Sequence, residues 1–191
     1  MIKQLITQNR SYRRFMENVR IEKEDLLDMI DNARLSASGR NMQPLKYMLC
    51  NSVDKNEQIF ACLAWAGYLP DWPGPVPGER PSAYIIVLHD KSLAQTYFCD
   101  DGIATQSILL SAVEKGFGGC IIASVMRDRL SQIIDLPDGF EIIHVIALGK
   151  PFEKVVITEV VNNDIRYWRD ENSVHHVPKR SLEEIIVVSR E

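Results

Sequence analysis

Asp101-Gly102-Ile103-Ala104-Thr105-Gln106-Ser107-Ile108-Leu109-Leu110-Ser111-Ala112-Val113-Glu114 carries no charge between its acidic ends, and it runs into Lys115-Gly116-Phe117-Gly118-Gly119 and then Cys120-Ile121-Ile122-Ala123-Ser124. The order is helix, stop, strand. Ile103, Ala104, Ile108, Leu109, Leu110, Ala112 and Val113 cover most of a helix circumference, and such a helix must be buried under a sheet or in a subunit contact. Gly116 sits where a helix C-cap wants glycine. Upstream, Ala83-Tyr84-Ile85-Ile86-Val87-Leu88 is a continuous apolar run of strand length, the pattern of a central strand covered on both faces. Downstream, Phe140 to Gly149 is another strong strand.

Working further outward, residues 2 to 8 read as a short helix with Ile2, Leu5 and Ile6 on one side. Lys23 to Ser36 places Leu26, Ile30 and Ala33 at helical spacing, with Leu27 and Met29 widening the face. Tyr47 to Cys50 reads as a short strand, Glu57 to Trp65 as a helix and Asp128 to Ile134 as another. Pro44 favours an extended approach at Gln43. Gly67 to Pro81 is too rich in proline for regular structure; it is a binding loop carrying Tyr68 and Trp72, or else a rigid crossover. From Val160 to Lys179 the chain reads as polar and irregular. Ile185-Ile186-Val187-Val188 then needs a cover. Helices and strands interleave, so an α/β or α+β sandwich is the expected class. A single domain over residues 1–191 is the expected organisation.

Composition excludes several functions. With 46% hydrophobic and 25% charged residues in 191, the chain is an ordinary globular protein. A net charge of −4 argues against a nucleic-acid surface. The start lacks an apolar signal segment and no uncharged run reaches spanning length, so a cytoplasmic protein away from the membrane is expected. Cys50, Cys62, Cys99 and Cys120 are far apart, which suits small buried core residues rather than metal ligands. His89 and His144 stand alone and His175-His176 are adjacent, so no metal site is expected. Gly116-x-Gly118-Gly119 follows a helix and precedes a strand, the reverse of a dinucleotide fingerprint. Asp100-Asp101 fits a helix N-terminus better than an acid–base pair. No P-loop, HExxH, GxSxG or Ser–His–Asp grouping is present. An enzyme built on this chain needs a cofactor to carry its chemistry.

The basic residues concentrate in Asn9-Arg10-Ser11-Tyr12-Arg13-Arg14-Phe15. Guanidinium forks suit phosphate. A helical turn would place Arg10 and Arg13 on one side, leaving Arg14 out; an ordinary solvated basic turn is the plain alternative. Ser38-Gly39-Arg40-Asn41-Met42-Gln43-Pro44 and Arg180 are the other polar sites expected to meet this cluster around one planar, anionic ligand.

The motifs, in order, resemble the nitroreductase family of FMN-dependent oxidoreductases. Asn9 to Phe15 resembles its RRSxRxF opening, Ser38 to Pro44 its SxxNxQPW segment, and Asp101 to Ser124 its central helix, glycine turn and strand. Ala147-Leu148-Gly149-Lys150-Pro151 is similar to its GxP strand exit, and Pro178-Lys179-Arg180-Ser181-Leu182-Glu183-Glu184 to its terminal KRxLEE. Asn9 replaces the first family arginine, and Leu45 the tryptophan after QP. The resemblance implies a sandwich with a central, mainly antiparallel sheet flanked by helices, in a homodimer with FMN at the interface. It implies that Arg10, Ser11 and Arg13 hold the phosphate and ribityl end of FMN, with Arg180 closing that site. Ser38 and Asn41 would reach the flavin from the other subunit, and Ala123 and Ser124 would lie beside its reactive edge. The implied activity is ping-pong hydride transfer from NADH or NADPH to a small acceptor, such as a nitro compound or quinone, with no catalytic side chain and with Tyr68 and Trp72 lining the pocket. An FMN store or sensor, and a flavin-processing or dehalogenating relative, share the same cradle.

Overall fold

The computed structural model describes residues 1–188. Its centre is a four-stranded antiparallel sheet in the order β1-β2-β4-β3, made by β1 Leu45–Cys50, β2 Ala83–Asp90, β3 Gly118–Ile122 and β4 Phe140–Gly149. Every residue of β2 is buried. Successive side chains on a strand face opposite ways, so β2 feeds two cores. Tyr84, Ile86 and Leu88 join Ile59 of α3 (Val53–Phe60) and Leu130 of α5 (Arg127–Ile133). Ala83, Ile85 and Val87 join Leu26 and Met29 of α2 (Lys23–Arg34) and Ile108, Leu109 and Ala112 of α4 (Asp100–Glu114). The α+β sandwich with an antiparallel sheet between helices is therefore the observed architecture.

α4 lies across this sheet, and Thr105 meets His144 of β4 at 2.9 Å in the interior. The helix ends as expected: Gly116 has φ +78°, Phe117 N–H donates to the Ala112 carbonyl at 2.8 Å and Gly116 N–H to Val113 at 2.9 Å, the paired bonds of a glycine-closed helix end. Only one side of α4 is covered in the single chain, and Ile103 and Gln106 are exposed. Asp100 is buried at the helix start and accepts from Ser38 Oγ at 2.6 Å and Gly39 N–H at 2.8 Å. It supports the helix N-terminus and also pins the Ser38 loop.

Several boundaries differ from the sequence expectation. The third helix is Val53–Phe60 rather than Glu57 to Trp65. Beyond Phe60 the chain is drawn straight by pairing: Leu63 bridges Val125, Ala64 N–H donates to Ser124 and Met126 N–H to Cys62. β1 begins two residues earlier than expected. Gln43 has φ +50°, not an extended conformation, because its N–H turns in to the Ser38 hydroxyl at 2.9 Å. Cys99 is exposed and Cys50 half-buried, so only Cys62 and Cys120 are core residues.

The largest correction concerns the region read as irregular. A second sheet, ordered β5-β7-β6, is formed by β5 Val155–Glu159, β6 Trp168–Arg169 and β7 His175–Lys179, with β5 and β7 parallel. A two-residue strand and the sequence His-His-Val-Pro-Lys carry too little periodicity to be read. At the ends, α1 (Ile2–Gln8) leaves Ile2 and Ile6 exposed, and after α6 (Leu182–Ile185) so are Val187 and Val188. Among the described residues, no helix is long and apolar enough to cross a membrane, and no group of three His, Cys, Asp or Glu residues could hold a metal ion.

Candidate functional site

The segment after α1 is extended, not a helical turn. Ser11 makes a parallel bridge to Gly119 of β3, Tyr12 N–H donates to the Gly119 carbonyl at 3.0 Å, and Phe15 bridges Pro151 and is fully buried. A Cβ at Gly118 would lie 2.5 Å from the Tyr12 ring, so the close approach needs glycine there. The arginine segment thus runs along the β3 edge of the sheet.

Arg13 is the hub. Its side chain is buried, with Nη1 3.2 Å from the Ser11 carbonyl and 3.2 Å from His175 Nε2, and its guanidinium lies 4.7 Å from the Tyr167 ring centre. Its backbone N–H donates to Glu153 at 2.5 Å, and the second Glu153 oxygen accepts from Arg169 at 3.0 Å. A buried carboxylate persists only when paired and hydrogen-bonded in this way. His175 is also fully buried. Burial, reinforced by the cations Arg13 and Arg169 and by His176, pushes its pKa down to about 4, so the ring is neutral at neutral pH. An arginine can only donate, so Nε2 carries the lone pair and the proton sits on Nδ1. That Nδ1 is buried with no protein partner.

Arg10 and Arg13 line one cavity of about 260 Å³, together with Ser11, His175, Tyr167 and Lys179. Among the described residues, no carboxylate lines it. Arg10 donates through Nη2 to the Ile6 carbonyl at 2.6 Å, and its Nε–H is buried and unpartnered. Arg14 faces elsewhere and forks onto Glu79 with two contacts of 2.6 Å. A second cavity of about 280 Å³ adjoins the first, sharing Arg13, Ile121 and Tyr167 with it. Ala123, Ser124, Trp65 and Cys120 line it. The indole N–H of Trp65 is also buried without a partner.

The remaining expected residues are dispersed. Ser38 borders a separate cavity of about 290 Å³ with Tyr47 and Asp100, on the α2–α4 side. Asn41 is exposed at φ +56°, and its side-chain oxygen accepts from Gln43. Within one chain neither residue meets the arginine cluster. Arg180 donates to Glu184 at 2.6 Å and lines neither arginine cavity. Tyr68 is half exposed, 5.0 Å from the Tyr167 ring, and its N–H donates to the Tyr167 hydroxyl at 3.2 Å. Trp72 packs on the core with Arg169 4.7 Å from its ring, and it lines neither cavity.

Sequence reasoning missed Tyr167, His175 and Lys179. One signal was available for two of them: His175, Val177 and Lys179 alternate up to the lysine of the KR pair, and all three line the arginine cavity.

A pair of adjoining cavities, one cationic and one partly apolar, suits a ligand with a phosphate at one end and a flat ring at the other. FMN fits these residues. Arg10, Arg13 and Lys179 offer charge to a phosphate, and the unpartnered N–H groups of Arg10, His175 and Trp65 are donors awaiting acceptors.

Comparison with known proteins gives a consistent result. The family model described as the Nitroreductase family matches residues 6–150. MhqN of Bacillus subtilis (strain 168), named as an NAD(P)H nitroreductase, is 23% identical over 187 residues, covering 76% of this chain and 86% of its own. The fold resembles that of a nitroreductase family protein from Streptococcus pneumoniae TIGR4, with TM-score 0.70 and 16% identity over 86% of this chain and 97% of that one. An FMN-dependent nitroreductase from Clostridium difficile R20291 aligns with TM-score 0.67 and 21% identity, covering 85% and 92% of the two chains. The NADPH:FMN oxidoreductase from Vibrio harveyi aligns with TM-score 0.62 and 20% identity, covering 79% and 69%.

Proposed function

We propose that this chain, which belongs to the nitroreductase family, is an FMN-dependent oxidoreductase that uses NADH or NADPH to reduce a small organic acceptor such as a nitro compound or quinone. The observation that carries this reading is the acid-free cavity with three cationic residues and two unpartnered donors, joined to a second cavity at the end of β3. We take residues 1–191 as a single FMN-binding domain.

Bound FMN would supply the redox chemistry, two-electron exchange with a nicotinamide and with the acceptor in turn. The chain supplies binding and orientation. Arg10, Arg13 and Lys179, which line the cavity with Ser11, would hold and neutralise the phosphate, with the Ser11 hydroxyl beside them. Neutral His175 accepts from Arg13 and so holds the guanidinium in place over Tyr167. Tyr167 stands at the junction of the two cavities. Ala123 and Ser124 offer backbone N–H groups just beyond the strand ladder, which ends at Ile122. Trp65 and Cys120 keep water from one wall. Tyr68 reaches this space through Tyr167, whereas Trp72 is taken up by Arg169. No ionisable side chain needs to act as acid or base.

The proposal includes a homodimer. The exposed Ile2, Ile6, Val187 and Val188 need a cover, and Ser38 and Asn41 can reach a flavin only from a second subunit. Purified protein should be yellow, sediment as a dimer and bleach anaerobically with NADH or NADPH. A colourless protein without FMN affinity overturns the whole reading. A yellow protein that no nicotinamide reduces leaves a flavin store or sensor. A flavin-loaded monomer overturns the shared site alone.

A further inference from the structure

Asp100 and Asp101 both stand in the first turn of α4, but only Asp100 is buried. A helix start favours acids there whether or not they are covered, so the burial asks for a further reason. Asp100 spends both carboxylate oxygens on one loop: Oδ2 accepts from Ser38 Oγ at 2.6 Å and Oδ1 from Gly39 N–H at 2.8 Å. The Ser38 hydroxyl oxygen in turn accepts from Gln43 N–H at 2.9 Å. One carboxylate therefore ties both ends of the loop from Ser38 to Gln43. Phe98 packs on the same loop, and a Cβ on Gly39 would lie 2.6 Å from its ring.

The loop so held is strained. Arg40, Asn41 and Gln43 have φ of +52°, +56° and +50°, a region that glycine enters freely, asparagine sometimes and other residues seldom. All three residues are exposed, so no core packing offsets the strain. Strained backbone that its surroundings hold in place is typical of ligand clamps. The bonds also sort donors from acceptors. Ser38 has given its one hydroxyl hydrogen to Asp100 and can only accept from anything else. Gln43 Nε2 donates to Asn41 Oδ1 and to the Asn41 carbonyl, each at 3.2 Å. That engages the amide oxygen of Asn41 and leaves its N–H groups to donate.

We propose that Asp100 is a positioning residue for the cofactor. Acting through Ser38, it holds the loop in the shape in which Asn41 offers an amide donor to an acceptor atom of the flavin in a second subunit. Ser38 meets that flavin only as an acceptor. The inference rests on the shared flavin site of the proposed homodimer.

The test sets Asp100→Asn against Asp101→Asn in the full chain, at concentrations where the parent is a dimer. Each removes one charge from the first turn of α4, but only the first deprives the loop of an acceptor. Exchange of the Gly39 and Gln43 amide protons with water, followed by NMR without flavin, should quicken about tenfold in Asp100→Asn and keep the parent rate in Asp101→Asn. FMN, titrated by flavin fluorescence, should bind about tenfold more weakly to Asp100→Asn and as in the parent to Asp101→Asn. Adding Asp100→Asn to Asn41→Ala should weaken FMN little further, because both changes remove the same contact. Equal effects of the two aspartates would reduce the role to helix-end charge and overturn the proposal. So would unchanged exchange in Asp100→Asn, faster exchange with FMN affinity unaltered, or additive losses in the double variant. A parent chain that takes up no FMN overturns the flavin reading and this role together. The exchange comparison, which needs no flavin, then still shows whether Asp100 braces the loop.

Discussion

β2 and β7 are both central strands of their sheets, and they are held in different ways. β2 is buried along its whole length between two apolar cores. β7 is held beside a charged network: His175 against Arg13, and Glu153 between Arg13 and Arg169. The first arrangement is non-directional and tolerates change in proportion to area lost. The second depends on matched partners, because low dielectric makes an unpaired buried charge costly. The arginine cavity has β3 of the main sheet on one side and β7 on the other.

The charged network is most sensitive to the loss of Glu153, whose side chain is wholly buried. Glu153→Ala strips the partner from Arg169 and from the Arg13 backbone, and the expected loss is about 3–5 kcal/mol in denaturant unfolding. Ile85→Ala in β2 should cost about 2–5 kcal/mol by leaving a cavity. Cofactor binding separates the two variants more sharply than stability does. Glu153→Ala should weaken FMN as well, whereas Ile85→Ala should spare FMN affinity under folded conditions. Equal effects on FMN would mean that the network does no positioning.

Arg13 comes next in size. Arg13→Ala should weaken FMN by about 1.5–3 kcal/mol, measured by flavin fluorescence titration, in the range for hydrogen bonds to charged groups. Arg14→Ala should change FMN affinity far less, because Arg14 forks onto Glu79 instead. Equal losses would reduce the site to bulk positive charge.

A pH series separates the two strands without removing a core side chain. The His175 pKa lies near 4 in the folded chain against 6.5 for an ordinary histidine. Between those values the unfolded chain binds a proton that the folded chain excludes, so stability falls as pH drops from 6.5 towards 4. His175→Gln keeps a hydrogen-bonding side chain but does not titrate. Its urea midpoint should decline less steeply than the parent's across that window, and parallel declines would mean that carboxylates alone set the slope.

The main sheet was legible because apolar runs report burial directly. Ala83 to Leu88 could be nothing but a covered strand, and the glycines after α4 announced its end. The helix boundary at Phe60 was not legible, since nothing local signals that Leu63 will pair with Val125. Within the candidate site, the Arg10–Arg13 segment stood out by its charge, although the helical turn read from its spacing is absent, and Ala123 and Ser124 stood out only through the family resemblance. Tyr167, His175 and Glu153 were hidden for a physical reason. Their roles arise from contacts across 140 or more residues, as between Arg13 and Glu153 and between Arg13 and His175. No window of sequence contains both ends.

The smallest expected effect bears on the one pair of neighbours where the family pattern and the geometry point to different side chains. The pattern assigns the closing cation to Arg180, whereas Lys179 lines the arginine cavity and Arg180 bonds Glu184 within the Ser181–Glu184 capping box. Strand alternation explains the difference: Lys179 shares a face with His175 and Val177, and Arg180 lies beyond the strand end. Lys179→Ala should therefore weaken FMN measurably. Arg180→Ala should remove an exposed ion pair worth about 0.3–0.5 kcal/mol of stability and leave the flavin titration nearly unchanged in the monomeric chain. A dimer adds one more possibility, because Arg180 on an exposed arm can meet the flavin of a second subunit. Measuring both variants above and below the dimer dissociation concentration resolves it. If Arg180→Ala weakens FMN only where dimers form, the residue acts across the interface. If it weakens FMN in both regimes and Lys179→Ala does not, the family pattern outweighs the strand geometry.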